Sequence, residues 1–217
     1  MPVLGLLFDL DGTLVDTERL QWTAYARVLA EHGVAIDLET YRGRFIAAAG
    51  GPEWACTTYG LGFDAATLRA RKAVVYRRLI ADGVSPMPGA REALARLHPG
   101  HRLAVATNTA RAEVAVILRH GDLGGLLDAV VAREDYPAPK PAPDAYLAAA
   151  AALGLAPAEC VVVEDTPRGL QAGRAAGMRV VVVPSDLTRD QDYTGASARL
   201  AHLDALTPAL LASLPAA

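Results

Sequence analysis

FDLDGTLVDT, residues 8–17, sets three aspartates into ten residues directly behind the apolar run Val3 to Phe8. That run reads as a buried strand, and the first aspartates fall at its carboxyl end. An ionised carboxylate held away from water is costly unless a cation or a hydrogen-bond network compensates it. The chain must therefore bring a compensating charge to this strand end.

Similar apolar runs recur along the chain: RLAVATN at 102–108, LLDAVVA at 126–132, CVVVED at 160–165 and RVVVV at 179–183. Between them lie Ala-Leu-rich stretches of helical period at 89–97, 110–120, 143–153 and 168–176, with Pro143 placed as a helix start and Gly177 as a stop. Short β-branched runs alternating with helices predict an α/β fold, a doubly wound, Rossmann-like parallel sheet covered on both faces. From Asp16 to about Ser85 no buried strand is legible. Helical patterns, such as 18–32 and 65–82, fill that interval. The expected organisation is a catalytic core of residues 1–15 and 85–217, interrupted after its first strand by a helical insert, 16–84. Residues 184–200 are polar and irregular, and their pattern assigns no element.

At 217 residues and 52% apolar content, with mean hydropathy +0.21, the chain can bury a sizeable core. No apolar run is long enough for a membrane span, and the N-terminal run reaches Asp9 without a basic leader, so a cytoplasmic location is expected. Cys56 and Cys160 lie far apart and outside any CxxC pair, so reduced thiols are expected. A net charge of −3 and pI near 5.9 leave no footprint for nucleic acid or a membrane surface. The expected partner is a small molecule and the expected state a monomer, since no extra interaction segment is visible.

In an open parallel sheet, ligands bind beyond the carboxyl ends of the strands. There the first strand brings Asp9 and Asp11, the second Thr107 and Asn108, the loop after the third Lys140, and the fourth Glu164 and Asp165. Acids gathered in this way repel one another unless a hard cation sits among them, and ligands that are all oxygen favour Mg2+. Lys140 is one of only two lysines among 21 basic residues, which marks a place for a compact point charge, as opposite a phosphoryl oxygen. Each motif alone has a plainer reading. Asp11-Gly12 is a turn sequence, and Thr107-Asn108 or Glu164-Asp165 could cap the helices that follow. Asp16 reads as structural, the five histidines lie outside every motif, and Gly60-Leu61-Gly62 reads as a turn.

Taken in order, DLDGT (9–13), ATN (106–108), KPAPDAY (140–146) and EDTPRGLQAGRAAGM (164–178) resemble the four motifs of the haloacid dehalogenase-like phosphatases. The subgroup most resembled contains phosphoglycolate phosphatase-like and β-phosphoglucomutase-like enzymes, whose cap domain matches the insert in position and size. The resemblance implies that Asp9 is a nucleophile forming an aspartyl-phosphate and that Asp11 is the general acid and base. It implies Mg2+ held by Asp9, the Asp11 backbone carbonyl, Asp165 and Glu164, the last directly or through water. Thr107, the Asn108 backbone N–H and Lys140 would hold the phosphoryl group. In the insert, Arg42 or Arg44 of YRGRF, read as loop-like, is the candidate to reach a substrate hydroxyl or carboxylate. The reaction expected is hydrolysis of a small phosphorylated metabolite, a sugar phosphate or phosphoglycolate. The alternatives are a phosphomutase and a non-catalytic binding protein. β-Phosphoglucomutases carry histidine where this chain has Gln21, which favours hydrolysis, and Asp11 disfavours dehalogenation.

Overall fold

The computed structural model describes residues 2–48 and 50–215; residues 1, 49, 216 and 217, which fall within the expected core and insert, lie outside it. The chain divides into two compact units, one of Met1–Asp16 with Ser85–Ala217 and one of Thr17–Val84.

The first unit is built on six parallel strands: β1 (Gly5–Phe8), β2 (Arg102–Ala106), β3 (Ala129–Val131), β4 (Cys160–Glu164), β5 (Arg179–Val182) and β6 (Ala198–Arg199), in the order β3-β2-β1-β4-β5-β6. Leu7, Ala104, Val162 and Val180 pack on one face against Tyr146, Ala149 and Leu153 of the helix Asp144–Leu153 and Leu170 and Ala172 of the helix Pro167–Ala175. The alternate residues Leu6, Phe8, Leu103, Val105, Val161 and Val163 point to the opposite face and are equally buried. Burial on both faces is why these strands read as continuous apolar runs.

Register sets the rim. Phe8 stands beside Val105 and Val163, so Asp9, Thr107 and Glu164 follow at nearly one level. The chain extends from β1 to β2 and β3 on one side and then returns to β4 on the other, which makes the end of β1 the switch point of the sheet. The two connections bracketing the insert are joined, with Asp16 N donating to Ser85 O and Met87 N to Leu14 O, each at 2.9 Å.

β6 lies in the stretch left unassigned by the sequence. Only two of its residues pair, too few to generate an apolar run.

The second unit holds helices Glu18–Ala30, Leu38–Tyr41, Gly51–Tyr59 and Ala65–Ala81 around Val28, Leu29, Ile36, Ala55, Leu61 and Leu68. Asp37 and Asp64 cap two of them, accepting from Thr40 N and Thr67 N at 2.8 Å. YRGRF is helical, not a loop: a π-helical turn, Arg42–Ala47, continues directly from Tyr41. Phe45 stacks on Tyr41 at 5.3 Å and packs on Tyr25 at 4.7 Å, and this aromatic contact orders a segment whose composition carries no helix signal. Gly60, with φ +59°, ends the third of these helices, as the turn reading requires. No helix among the described residues is long and apolar enough to cross a membrane.

Helix Pro167–Ala175 approaches the sheet closely at Gly173, where a Cβ would lie 2.7 Å from Val180 Cγ2 and 3.2 Å from Val162 Cβ. Gly173→Val should therefore destabilise the protein by about 2–3 kcal/mol, read as a lower urea midpoint. An unchanged midpoint would mean that the helix and sheet are not packed this tightly.

Candidate active site

Asp9, Asp11, Thr107, Asn108, Lys140, Glu164 and Asp165 all belong to the first unit and gather at its carboxyl rim, whereas Arg42 and Arg44 belong to the second. Asp9 leaves β1 with its N–H bonded to Val163 O at 2.9 Å, and is 8% exposed. Gly12 then turns the chain at φ +82°, where a Cβ would lie 2.5 Å from Asp165 Oδ2, so the turn can close only over glycine.

Lys140 is the hub. Its ammonium, 4% exposed, lies 2.5 Å from Asp9 Oδ1, 2.8 Å from Glu164 Oε1 and 2.7 Å from the Tyr146 hydroxyl. The loop that carries it is tied from two sides: Lys140 N donates to Asn108 Oδ1 at 3.1 Å, and Arg168 donates to Lys140 O at 2.7 Å.

Glu164, 1% exposed, takes hydrogen bonds on both oxygens. Oε1 also accepts from Tyr146 at 2.7 Å, and Oε2 accepts from Asp165 N, Thr166 N and Thr166 Oγ1 at 2.9–3.1 Å. Gly169 makes room for this carboxylate, since a Cβ there would lie 1.7 Å from Glu164 Cδ. Asp165 is fully buried; Thr13 Oγ1 stands 3.4 Å from its Oδ1, and Tyr193 donates to its backbone carbonyl. Asp11 meets different groups: its Oδ2 accepts from Thr107 Oγ1 at 3.2 Å and Thr109 Oγ1 at 2.6 Å.

The capping alternatives do not hold. Thr166, not Glu164 or Asp165, caps the helix Pro167–Ala175 through Gly169 N, and Glu134 accepts from Arg111 N at the start of the helix Arg111–His120. Thr107 Oγ1 instead accepts from Thr109 N within its own turn.

Arg44 belongs to the second unit. It is exposed on the π-helical turn, its guanidinium 5.2 Å from the Trp54 ring centre.

Tyr146 and Thr109 were not singled out from the sequence. Tyr146 left a signal: it falls at i, i+3, i+4, i+7 with Ala149, Ala150 and Leu153 on the apolar face of its helix. A tyrosine buried at such a position needs a partner for its hydroxyl. Thr109 left none beyond its nearness to Thr107.

Oxygen atoms of Asp9, Glu164 and Asp165 lie within 4.8 Å of one another, and no His or Cys among the described residues joins the group. Three buried acids against one buried ammonium leave excess negative charge, and this donor set fits a hard divalent cation. Burial lifts the Asp9 carboxyl to about 8 despite the opposing pull of Lys140, with the Glu164 and Asp11 charges adding to the rise. Burial pushes Glu164 the same way, but Lys140 and the donors on its oxygens outweigh it and hold that carboxyl below its ordinary value. Burial disfavours the Lys140 ammonium, yet Asp9 and Glu164 together hold it above the ordinary lysine value. Burial and the adjacent carboxylates raise the Tyr146 phenol well above its usual range, so it remains a donor.

Because Asp9 titrates higher in the folded protein than the ordinary 3.8, its protonation supports the folded state at low pH, and that support is lost as pH rises through about 8. Metal-free protein should therefore lose Tm between about pH 4 and pH 8, and Asp9→Asn should lack this loss. A wild-type Tm that holds or rises across the window, measured by calorimetry in EDTA, would contradict the assignment.

Residues 3–177 match the family model of the haloacid dehalogenase-like hydrolases. Protein CbbY of Rhodobacter capsulatus is 36% identical over 99% of this chain and 100% of its own length. Fructose-1-phosphate phosphatase YqaB of Escherichia coli is 35% identical over 82% of this chain and 95% of its own. An aspartate-to-asparagine variant of CbbY from Rhodobacter sphaeroides, crystallised with xylulose-(1,5)bisphosphate, superposes with a TM-score of 0.80 at 29% identity, covering 94% of this chain and 96% of that one. The chain belongs to the haloacid dehalogenase-like hydrolases.

Proposed function

We propose that the protein is a Mg2+-dependent phosphohydrolase of small sugar phosphates that works through an aspartyl-phosphate on Asp9. The observation that carries this reading is the division of surroundings at the rim: Asp9 faces an ammonium and two further buried carboxylates, whereas Asp11, two residues on, faces two hydroxyls. Such a pair can serve as nucleophile and as acid and base.

Asp9 attacks phosphorus, the P–O ester bond breaks, and Asp11 gives its proton to the departing sugar oxygen. Asp11, now ionised, takes a proton from water; the hydroxyl oxygen bonds to phosphorus, the Asp9–phosphorus bond breaks, and inorganic phosphate leaves with Asp9 and Asp11 restored. Lys140 and Thr107, with the Asn108 backbone N–H, hold the phosphoryl oxygens. Asp9, the Asp11 carbonyl and Asp165 would hold Mg2+, with Glu164 reaching it through water because five donors already occupy its oxygens. The ion would draw charge off the phosphoryl oxygens.

Sugar phosphates are favoured by the names of the relatives: a fructose-1-phosphate phosphatase and a CbbY bound to xylulose bisphosphate. In the same reading the helical unit is the cap that selects the substrate, with Arg44 as its polar contact. The free thiols Cys56 and Cys160 fit a cytoplasmic enzyme.

Phosphate release should be measured from fructose 1-phosphate, xylulose 1,5-bisphosphate, phosphoglycolate and glucose 1-phosphate, with Mg2+ or with EDTA. Release is expected from a sugar phosphate, abolished by EDTA, and reduced at least about 10³-fold in Asp9→Asn. Arg44→Ala should raise KM about tenfold with kcat little changed. Undiminished release in Asp9→Asn would remove the covalent route, and isomerisation of glucose 1-phosphate without release would replace hydrolysis by phosphoryl return to the sugar.

A further inference from the structure

We infer that Tyr146 is a positioning residue whose hydroxyl aims the Lys140 ammonium at Asp9. The inference rests on the phosphatase reading for its kinetic consequence, but its structural part stands apart from it.

The argument is a count of donors and acceptors. An ammonium has three N–H groups, and a phenol has one O–H and can accept. Lys140 Nζ has three acceptors within 2.8 Å: Asp9 Oδ1, Glu164 Oε1 and Tyr146 Oη. Tyr146 spends its single proton on Glu164 Oε1 at 2.7 Å, so towards Lys140 it can only accept. The hydroxyl thus closes a triangle with the ammonium and the Glu164 carboxylate and leaves the third N–H directed at Asp9. All members are buried.

Without the hydroxyl, one N–H of a buried ammonium loses its acceptor, and Glu164 Oε1 loses a donor. The flexible four-carbon stem of a lysine can then swing the charge towards Glu164 and away from Asp9. Tyr146 resists this because its ring is fixed by the core: it packs with Ala149, Ala150 and Leu153 of its helix and with the sheet residues Ala104 and Val162. Lys140 Nζ also lies 4.4 Å from the centre of that ring. The direction of the charge is therefore set by a rigid helix and not by the Lys140 loop alone.

Tyr146→Phe keeps the ring and removes only the hydroxyl. Per folded enzyme, kcat for the best sugar phosphate should fall about tenfold with KM changed less than twofold, because the ammonium is misaimed while the rest of the site is intact. A purely structural role would lower the folded fraction and Tm without this split.

The second readout needs no activity. The chain has only two lysines, Lys72 and Lys140, so 15N-lysine labelling yields two ammonium groups, told apart by Lys72→Arg. In metal-free wild-type protein the Lys140 ammonium should give a resonance in slow exchange with water, and in Tyr146→Phe that exchange should accelerate at least about tenfold, to the point of losing the signal. Unchanged kcat, or an unchanged Lys140 resonance in Tyr146→Phe, would overturn the inference. If wild-type protein released no phosphate from any substrate, the phosphatase reading would fail, and the resonance alone would decide whether Tyr146 holds Lys140.

Discussion

Two buried carboxylates, Asp9 and Glu164, share one buried ammonium at the end of β1, with Asp165 a third acid beside them, and the rim is arranged around that imbalance. Asp9, Glu164 and Asp165 come from two adjacent strands, while Lys140 arrives on a loop from elsewhere. A buried pair of this kind contributes little net stability, because desolvation cancels most of the attraction. Its worth lies in registration: the ammonium fixes the ends of β1 and β4 against each other. Losing the ammonium would remove the cation that both the Asp9 and the Glu164 carboxylates face.

The surrounding structure reads as a set of supports for that pair. Asn108 at the end of β2 receives the Lys140 backbone, Arg168 in the helix after β4 grips its carbonyl, and Thr166 both holds Glu164 and starts that helix. Two glycines let the charges approach. Gly12 admits the Asp165 carboxylate and Gly169 the Glu164 carboxylate, at distances no Cβ would tolerate. The motif residues that carry no charge are therefore as constrained as those that do. They are constrained by volume and not by chemistry.

This division explains what the sequence made legible. The sheet was readable because strands covered on both faces become unbroken apolar runs, and charged residues at their ends stand out against them, as Asp9 and Glu164 do. β6 was not readable, since a two-residue strand at the sheet's edge pairs through its backbone and has no pattern to display. The π-helical turn at 42–47 was missed for a related reason. Its order comes from Phe45 meeting Tyr25 and Tyr41, contacts that local propensity does not encode. Thr109 and Tyr146 were missed because neutral hydroxyls are common and reveal a task only when the groups they face are known. Lys140 was found by composition: in a chain that uses arginine as its ordinary cation, a lysine is conspicuous.

The contrast between Asp9 and Asp11 has a physical root in strand geometry. Asp9 still belongs to the ladder through its N–H, so its carboxylate stays among the buried ends of β1 and β4 and meets charge. Asp11 lies beyond the ladder, where the Gly12 turn carries it towards the end of β2, and there its carboxylate meets the hydroxyls of Thr107 and Thr109. Hydroxyls can accept as well as donate, so they can follow a carboxyl group through loss and gain of a proton by rotating. An ammonium can only donate, so it favours the ionised form of the carboxyl it faces, against the burial that opposes it. The same two-residue step that takes the chain out of the sheet thus gives the two aspartates the different surroundings on which the proposed division between attack and proton transfer rests.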